Sequence, residues 1–230
     1  MKTFVFLLLI LSTPISAKVN VTLGILVFPP HSILDEVTNE CVGSFISITE
    51  KILAEYAISV DVVCAPPIRL YRLLEHADVD FIINIKSTKA LPKDIVFVDI
   101  PFNTLSLNLY TRKNGQSEKS VAAIRGFGYH GFRTKLTAQG YEFIDLPTSV
   151  SAIRLFLKKR SDHLISYRSP VDYYIQEKNL NIKDEVSILP LLEVPTYYGI
   201  SGKSPHLEKL KAAFDDYASK HKLMFFDQKI

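Results

Sequence analysis

Three arginines follow closely on apolar runs of the kind that form strands: Arg69 after 58–64, Arg125 after 121–124, and Arg168 after 162–166. A guanidinium is a rigid fork of donors suited to carboxylate or phosphate. Beside Arg125, the Gly126-Phe127-Gly128 stretch adds exposed backbone amides at a helix start, where anions are favoured. Five loops occupy equivalent strand ends, 28–31, 65–69, 84–89, 125–129 and 166–168, and none contains Asp or Glu. The expected ligand-binding residues in them are Phe28, His31, Arg69, Lys86, Ser87, Thr88, Arg125, Gly126, Phe127, Tyr129, Tyr167 and Arg168. Their chemistry favours an anion. Any one of these arginines taken singly is as well read as facing solvent or bridging lobes, so the expectation is collective.

Other chemistries find less support. Gly126-Phe127-Gly128-Tyr129-His130-Gly131 matches the dinucleotide-binding fingerprint, with Asp145 at the end of the following strand. Its position in mid-chain and the export signal described below weigh against a nicotinamide cofactor, so no cofactor is expected. His31, His76, His130, His163, His206 and His221 are scattered without metal-ligand spacing, so no metal site and no catalytic residues are expected. His31 stands out because its loop belongs to the candidate set. The 14 Phe and 11 Tyr would line a pocket for an aromatic or sugar-like ligand, or simply fill a core.

Those loops need elements to hold them, and the chain repeats itself in supplying them. Leu70-Tyr71-Arg72-Leu73-Leu74 with Asp80-Phe81-Ile82-Ile83 recurs 82 residues later as Ala152-Ile153-Arg154-Leu155-Phe156 with Asp162-His163-Leu164-Ile165. Each copy reads as an amphipathic helix, a polar turn and a buried strand. Strands are expected over 19–27, 58–64 and 79–85, with helices over 45–56, capped by Ser44, and after Pro66-Pro67. A long strand over 105–111 leaves the first unit. The second unit has strands over 121–125, 141–144 and 162–166, a helix over 134–139 and the second repeat helix. Pro190 and Pro195 bracket a return segment, and Ser204-Pro205 starts a last helix whose Leu207, Leu210, Phe214 and Tyr217 pack back on the first unit. The β-α-β-α-β order implies parallel sheets with right-handed crossovers.

Met1-Lys2, the apolar run 4–11 and the small-residue zone 13–17 describe a secretory signal peptide cleaved after Ala17, shorter than a membrane span. The chain carries a net charge of +3 with basic and acidic residues interleaved, which gives no electrostatic footprint for nucleic acid. Cys41 and Cys64 suit neither zinc nor redox spacing, and in an oxidising compartment they read as one structural disulfide.

Several segments resemble the bacterial extracellular solute-binding family 3, the periplasmic receptors of polar amino-acid transport. Pro67-Ile68-Arg69-Leu70 with Asp80 is similar to the family's Pro-aromatic-x-Arg helix opening before an Asp-containing strand. Val98-Asp99-Ile100-Pro101-Phe102 resembles its Asp-x-Pro-Tyr segment, and Lys158-Lys159-Arg160-Ser161-Asp162-His163-Leu164-Ile165 its Gly-Arg-x-Asp-Ala strand entry. The resemblance spans the chain beyond residue 17 and implies a periplasmic-binding-protein type II fold, two lobes closing by a hinge on a solute. It also exposes two departures. The family's carboxylate-gripping Arg falls near Leu91-Pro92, with Lys86, Lys89 and Lys93 nearby, and its amino-gripping Asp falls at Ser166 or Tyr167. No amino acid is therefore named as ligand.

The expected organisation is a signal peptide over 1–17, one α/β lobe from 18–104 and 195–230, and a second from 105–194, each a mainly parallel sheet flanked by helices, with hinges near 102–105 and 190–195. The expected function is an exported, periplasmic, non-enzymatic monomer that binds a small anionic solute for ABC-type uptake or sensing. Its partners are that solute and a membrane permease or sensor, and no nucleic acid. The alternatives are a ligand-free sensory module of the same fold and an exported dehydratase-like enzyme.

Overall fold

The computed structural model describes residues 19–35, 37–114, 119–221 and 225–226. The expected signal peptide and part of the 113–118 loop lie outside these residues. The strands are β1 (Val19–Ile25), β2 (Ile33–Leu34), β3 (Cys41–Val42), β4 (Ile58–Cys64), β5 (Phe81–Asn84), β6 (Val96–Phe97), β7 (Asn103–Arg112), β8 (Ser120–Ile124), β9 (Glu142–Leu146), β10 (His163–Tyr167) and β11 (Val186–Ile200). The helices are α1 (Ser44–Ala54), α2 (Pro67–Glu75), α3 (Phe132–Ala138), α4 (Ser149–Leu157), α5 (Arg168–Glu177) and α6 (Leu207–His221), with a short 3-10 turn at Tyr129–Gly131.

Hydrogen-bonded strands run in the order β4-β1-β5-β11-β7-β10-β8-β9, with β6 also on β11. β4, β1 and β5 are parallel, as are β10, β8 and β9, so each repeat unit orders its strands in the same 2-1-3 way. The 82-residue offset carries Pro67–Glu75 onto Ser149–Leu157 without remainder. Between the halves, β7 and β11 pair antiparallel from Asn103↔Thr196 to Arg112↔Val186. At Tyr197 β11 changes partner and joins β5. The expected proline-bracketed connection is thus a strand. Pro190 sits at a register shift, and Pro195, opposite Thr104, precedes the point where β11 gains β5 as a second neighbour.

Each half is covered on both faces. α1 and α6 bury Phe45, Ile52, Leu210 and Phe214 against Val21, Leu23 and Tyr198 of the first half. α2 lays Leu70, Tyr71 and Leu74 on the other face. The close approach of α2 needs a side-chain-free position below it: a Cβ at Gly24 would lie 2.5 Å from a Leu70 methyl. In the second half α4 and α5 bury Ile153, Phe156 and Val171, while Tyr129 and Leu136 fill the opposite side. Asp80 precedes β5 and is buried, accepting from the Thr22 amide at 2.8 Å and from the Ser204 hydroxyl. It therefore joins β1 to the approach to α6.

Two local expectations are corrected. Ser44 does not cap α1, since Gly43 occupies that position with no side-chain cap and Ser44 Oγ instead meets His31 Nδ1 at 3.2 Å. The last helix starts at Leu207, because Ser204 folds the preceding turn by accepting from the His206 amide. The Cys41–Cys64 disulfide is present, with Cα atoms 5.9 Å apart, and ties β3 to the end of β4. Among the described residues no helix is long and apolar enough to cross a membrane.

Candidate functional site

A cavity of about 720 Å³ opens where the carboxyl ends of the strands of both halves face each other. This is where open α/β sheets place ligands. The first half contributes Phe28 after β1, Pro66 and Arg69 at the start of α2, and Asn84 and Ile85 at the end of β5. The second contributes Ile124 and Phe127 after β8, Thr148 and Ser149 at the start of α4, and Tyr167 at the end of β10. The long strands add Leu105 and Thr196 at its floor. The first half also lines it with Glu40, Glu50 and Asp61, on the β2-β3 hairpin, α1 and β4. Asp61 there accepts from Asn20 Nδ2.

Four of the expected binding residues line this space: Phe28, Arg69, Phe127 and Tyr167. Arg69 is exposed in the first turn of α2, with no ion pair or side-chain hydrogen bond among the described residues. Tyr167 is only 4% exposed, its ring 5.9 Å from that of Phe28 across the two halves. Burial pushes its phenol above the ordinary range, so it stays protonated.

The other expected residues lie elsewhere, each for a local reason. His31 turns into the core, stacked on Phe45 at 4.6 Å and edge-on to Phe226, and burial lowers its pKa. Tyr129 is buried and its hydroxyl accepts from the Ile124 amide at 2.7 Å. Arg168 is drawn along its own helix to Asp172 at 2.9 Å, and Arg125 is exposed outside the cavity lining. Lys86 pairs with Asp99 at 3.5 Å and lies over the Tyr197 ring. Thr88 donates to Asn84 Oδ1. Gly126 is a turn residue at φ +81° near Ile68, and Ser87 makes an exposed hydrogen bond with His130 Nδ1 at 3.1 Å. The arginine trio therefore reduces to Arg69.

The carboxylate that the dinucleotide-like stretch would need is engaged by Arg133, two residues beyond it. Arg133 donates to the Phe127 and Ile124 carbonyls and to Asp145, the carboxylate a ribose would need. The carboxylate is already committed. Among the described residues no group of His, Cys, Asp and Glu is placed to hold a metal ion.

Sequence reasoning missed Thr148 and Ser149. The repeat itself contained the signal, since the 82-residue offset that relates α2 to α4 maps Pro66 and Pro67 onto Thr148 and Ser149. Thr148 Oγ1 accepts from the Ser151 amide and so caps α4, leaving Ser149 as the first residue of the helix against the cavity.

No family model and no curated protein matches the chain. Solved structures do. An ABC uptake transporter substrate-binding protein from Streptococcus pneumoniae with bound histidine superposes with a TM-score of 0.68 at 16% identity, over 91% of this chain and 95% of that one. A histidine kinase sensor domain similar to periplasmic binding proteins gives 0.71 at 18%, over 88% and 90%. An ancestral amino-acid-binding protein, a precursor of cyclohexadienyl dehydratase, gives 0.68 at 16%, over 88% and 89%. Strand order, covered sheet faces and these superpositions agree: the chain has the mixed α/β fold of periplasmic-binding-protein type II structures.

Proposed function

We propose that this chain is an exported, non-enzymatic solute-binding protein, a divergent member of extracellular solute-binding family 3. It closes two lobes on a small anionic solute and hands the event to a membrane permease or sensor. The lobes are 18–104 with 195–230, and 105–194. The hinges lie near 102–105 and 190–195, where β7 and β11 carry the backbone between the sheet halves.

The observation that carries the reading is the cavity fed by strand ends of both halves, with an unpaired guanidinium at its wall. Arg69 forms no ion pair with the lining carboxylates Glu40, Glu50 and Asp61, which all come from the first half. An anion there gains a charge-assisted contact and the offset of two helix N-termini, those of α2 and α4. The resemblance to an uptake substrate-binding protein and to a kinase sensor domain supports both outlets equally.

A thermal-shift screen against fractionated metabolite extracts tests the proposal. A binder is stabilised in proportion to the logarithm of ligand concentration. The expected result is a fraction that raises Tm in this way and loses its effect in Arg69→Ala. No stabilisation by any fraction would leave the ligand-free sensory module as the better account.

A further inference from the structure

The polar groups that line the space between the halves divide sharply into spent and unspent. Ser32 Oγ donates to the Leu26 carbonyl and accepts from the Phe28 amide. Asn84 donates to the Tyr71 hydroxyl and accepts from the Ile85 amide and Thr88. Thr148 Oγ1 donates to Ser151 Oγ, and Thr196 Oγ1 to the Asn103 carbonyl. Arg69, Ser149 and Tyr167 remain without side-chain partners among the described residues. Ser149 is 2% exposed and its Oγ is a buried orphan; Tyr167, 4% exposed and on the cavity wall, makes no side-chain hydrogen bond among the described residues, and its phenol oxygen is not fully buried.

A buried hydroxyl without a partner is costly, and a cavity that keeps the Ser149 orphan and an unengaged Tyr167 phenol on its wall is built for a ligand that completes them. Their chemistry is specific. One cation and two neutral hydroxyls fit one negative charge and one uncharged hydroxyl or carbonyl. Their hydroxyl oxygens offer an ammonium group hydrogen bonds but no counter-charge, and a guanidinium in the same space repels it. The walls around them, Phe28, Phe127, Ile85, Ile124 and Leu105, are apolar and fit the body of the solute.

Resting on the solute-binding reading above, we propose that the cleft selects a hydroxy- or oxo-carboxylate with an apolar body and no ammonium group, and that Tyr167 is the residue that reads the neutral substituent. Arg69 takes the carboxylate and Ser149, at the start of α4, supplies the second hydroxyl.

The test is titration calorimetry on the full chain with four probes that share one body and one carboxylate: 3-phenylpropanoate, phenyllactate, phenylpyruvate and phenylalanine. The aliphatic set built on 4-methylpentanoate and leucine is run beside them. Within at least one set the hydroxy or oxo acid is expected to bind tenfold or more tightly than the amino acid. Tyr167→Phe keeps the ring and the fold, and is expected to erase the advantage of the hydroxy or oxo acid over the unsubstituted acid. That is a loss of roughly 3- to 30-fold, with the unsubstituted acid within about twofold of its original affinity. A general packing defect would weaken all probes alike, and that result overturns the proposal. Equal or tighter binding of the amino acid overturns it too. If no probe binds while a metabolite fraction still raises Tm, the ligand class is wrong and the solute-binding reading stands. If neither binds, both fall.

Discussion

At the scale of single residues, the site rests on which polar atoms the fold leaves unsatisfied. Arg69 is the lining cation and has no ion pair among the described residues, so Arg69→Ala should weaken binding of the stabilising metabolite fraction by about 2 kcal/mol if the contact is desolvated. Calorimetry with that fraction gives the number, and an unchanged affinity rejects the role. His31 makes a different prediction. Burial holds its imidazole below 6.5 in the folded state, so on acidification the unfolded chain takes the proton first. The stability gained from a neutral His31 is complete above about pH 6.5 and is lost as pH falls toward its folded value. Burial lowers His130 and His163 in the same direction, so the acid-side slope should persist but shrink in His31→Phe, which keeps the ring stacked on Phe45. Urea unfolding from pH 7.5 to 5 measures it, and an identical slope in the variant would remove His31 from the account. Residue type and strand-end position were enough to select Arg69, Phe28, Phe127 and Tyr167. They were not enough for Arg168 or His31, because an i,i+4 partner and a ring stack, neither visible in loop position, decide where those side chains turn.

At the scale of elements, the repeat explains most of what was legible. Amphipathic spacing and turn residues placed α2, α4 and the parallel strands within a few positions, since those units bury one face against their own sheet. β11 was not legible, because 15 residues with two prolines and a partner change carry no single period. The hairpin β2-β3 depends on a covalent tie instead. Cys41 and Cys64 close a loop with a sequence separation of 23, for which chain entropy suggests about 3 kcal/mol. A Cys41→Ser, Cys64→Ser double variant should lose that much in denaturant unfolding, and a loss under about 1 kcal/mol would show that the hairpin is held by packing alone. The Ser87–His130 hydrogen bond joins the loop after β5 to the 3-10 turn after β8, and so bridges the two halves at the surface. Exposed bonds of this kind contribute about 0.5 to 1.5 kcal/mol, and Ser87→Ala should shift the chain toward an open form by that amount. Spin labels on the two halves should report a longer mean distance in Ser87→Ala, and an unaltered distance distribution would mean the bond does not hold the halves together.

At the scale of the whole molecule, two sheet halves share one ribbon, β7 with β11, and face each other across a cavity wide enough for a small solute. Rotation where that ribbon crosses between the halves would separate Phe28 and Ile85 from the second-half core and Ser87 from His130, while the fully buried residues of each cluster stay within their own half. Small-angle scattering should therefore show compaction when the stabilising metabolite fraction is added, and a constant radius at saturation would argue against lobe closure. The most direct measurement is native mass spectrometry of the chain incubated with metabolite extract, with release and identification of what stays bound. The account predicts one small anionic solute per chain, strongly depleted in Arg69→Ala. A cationic solute, or an adduct undiminished by that substitution, would contradict it.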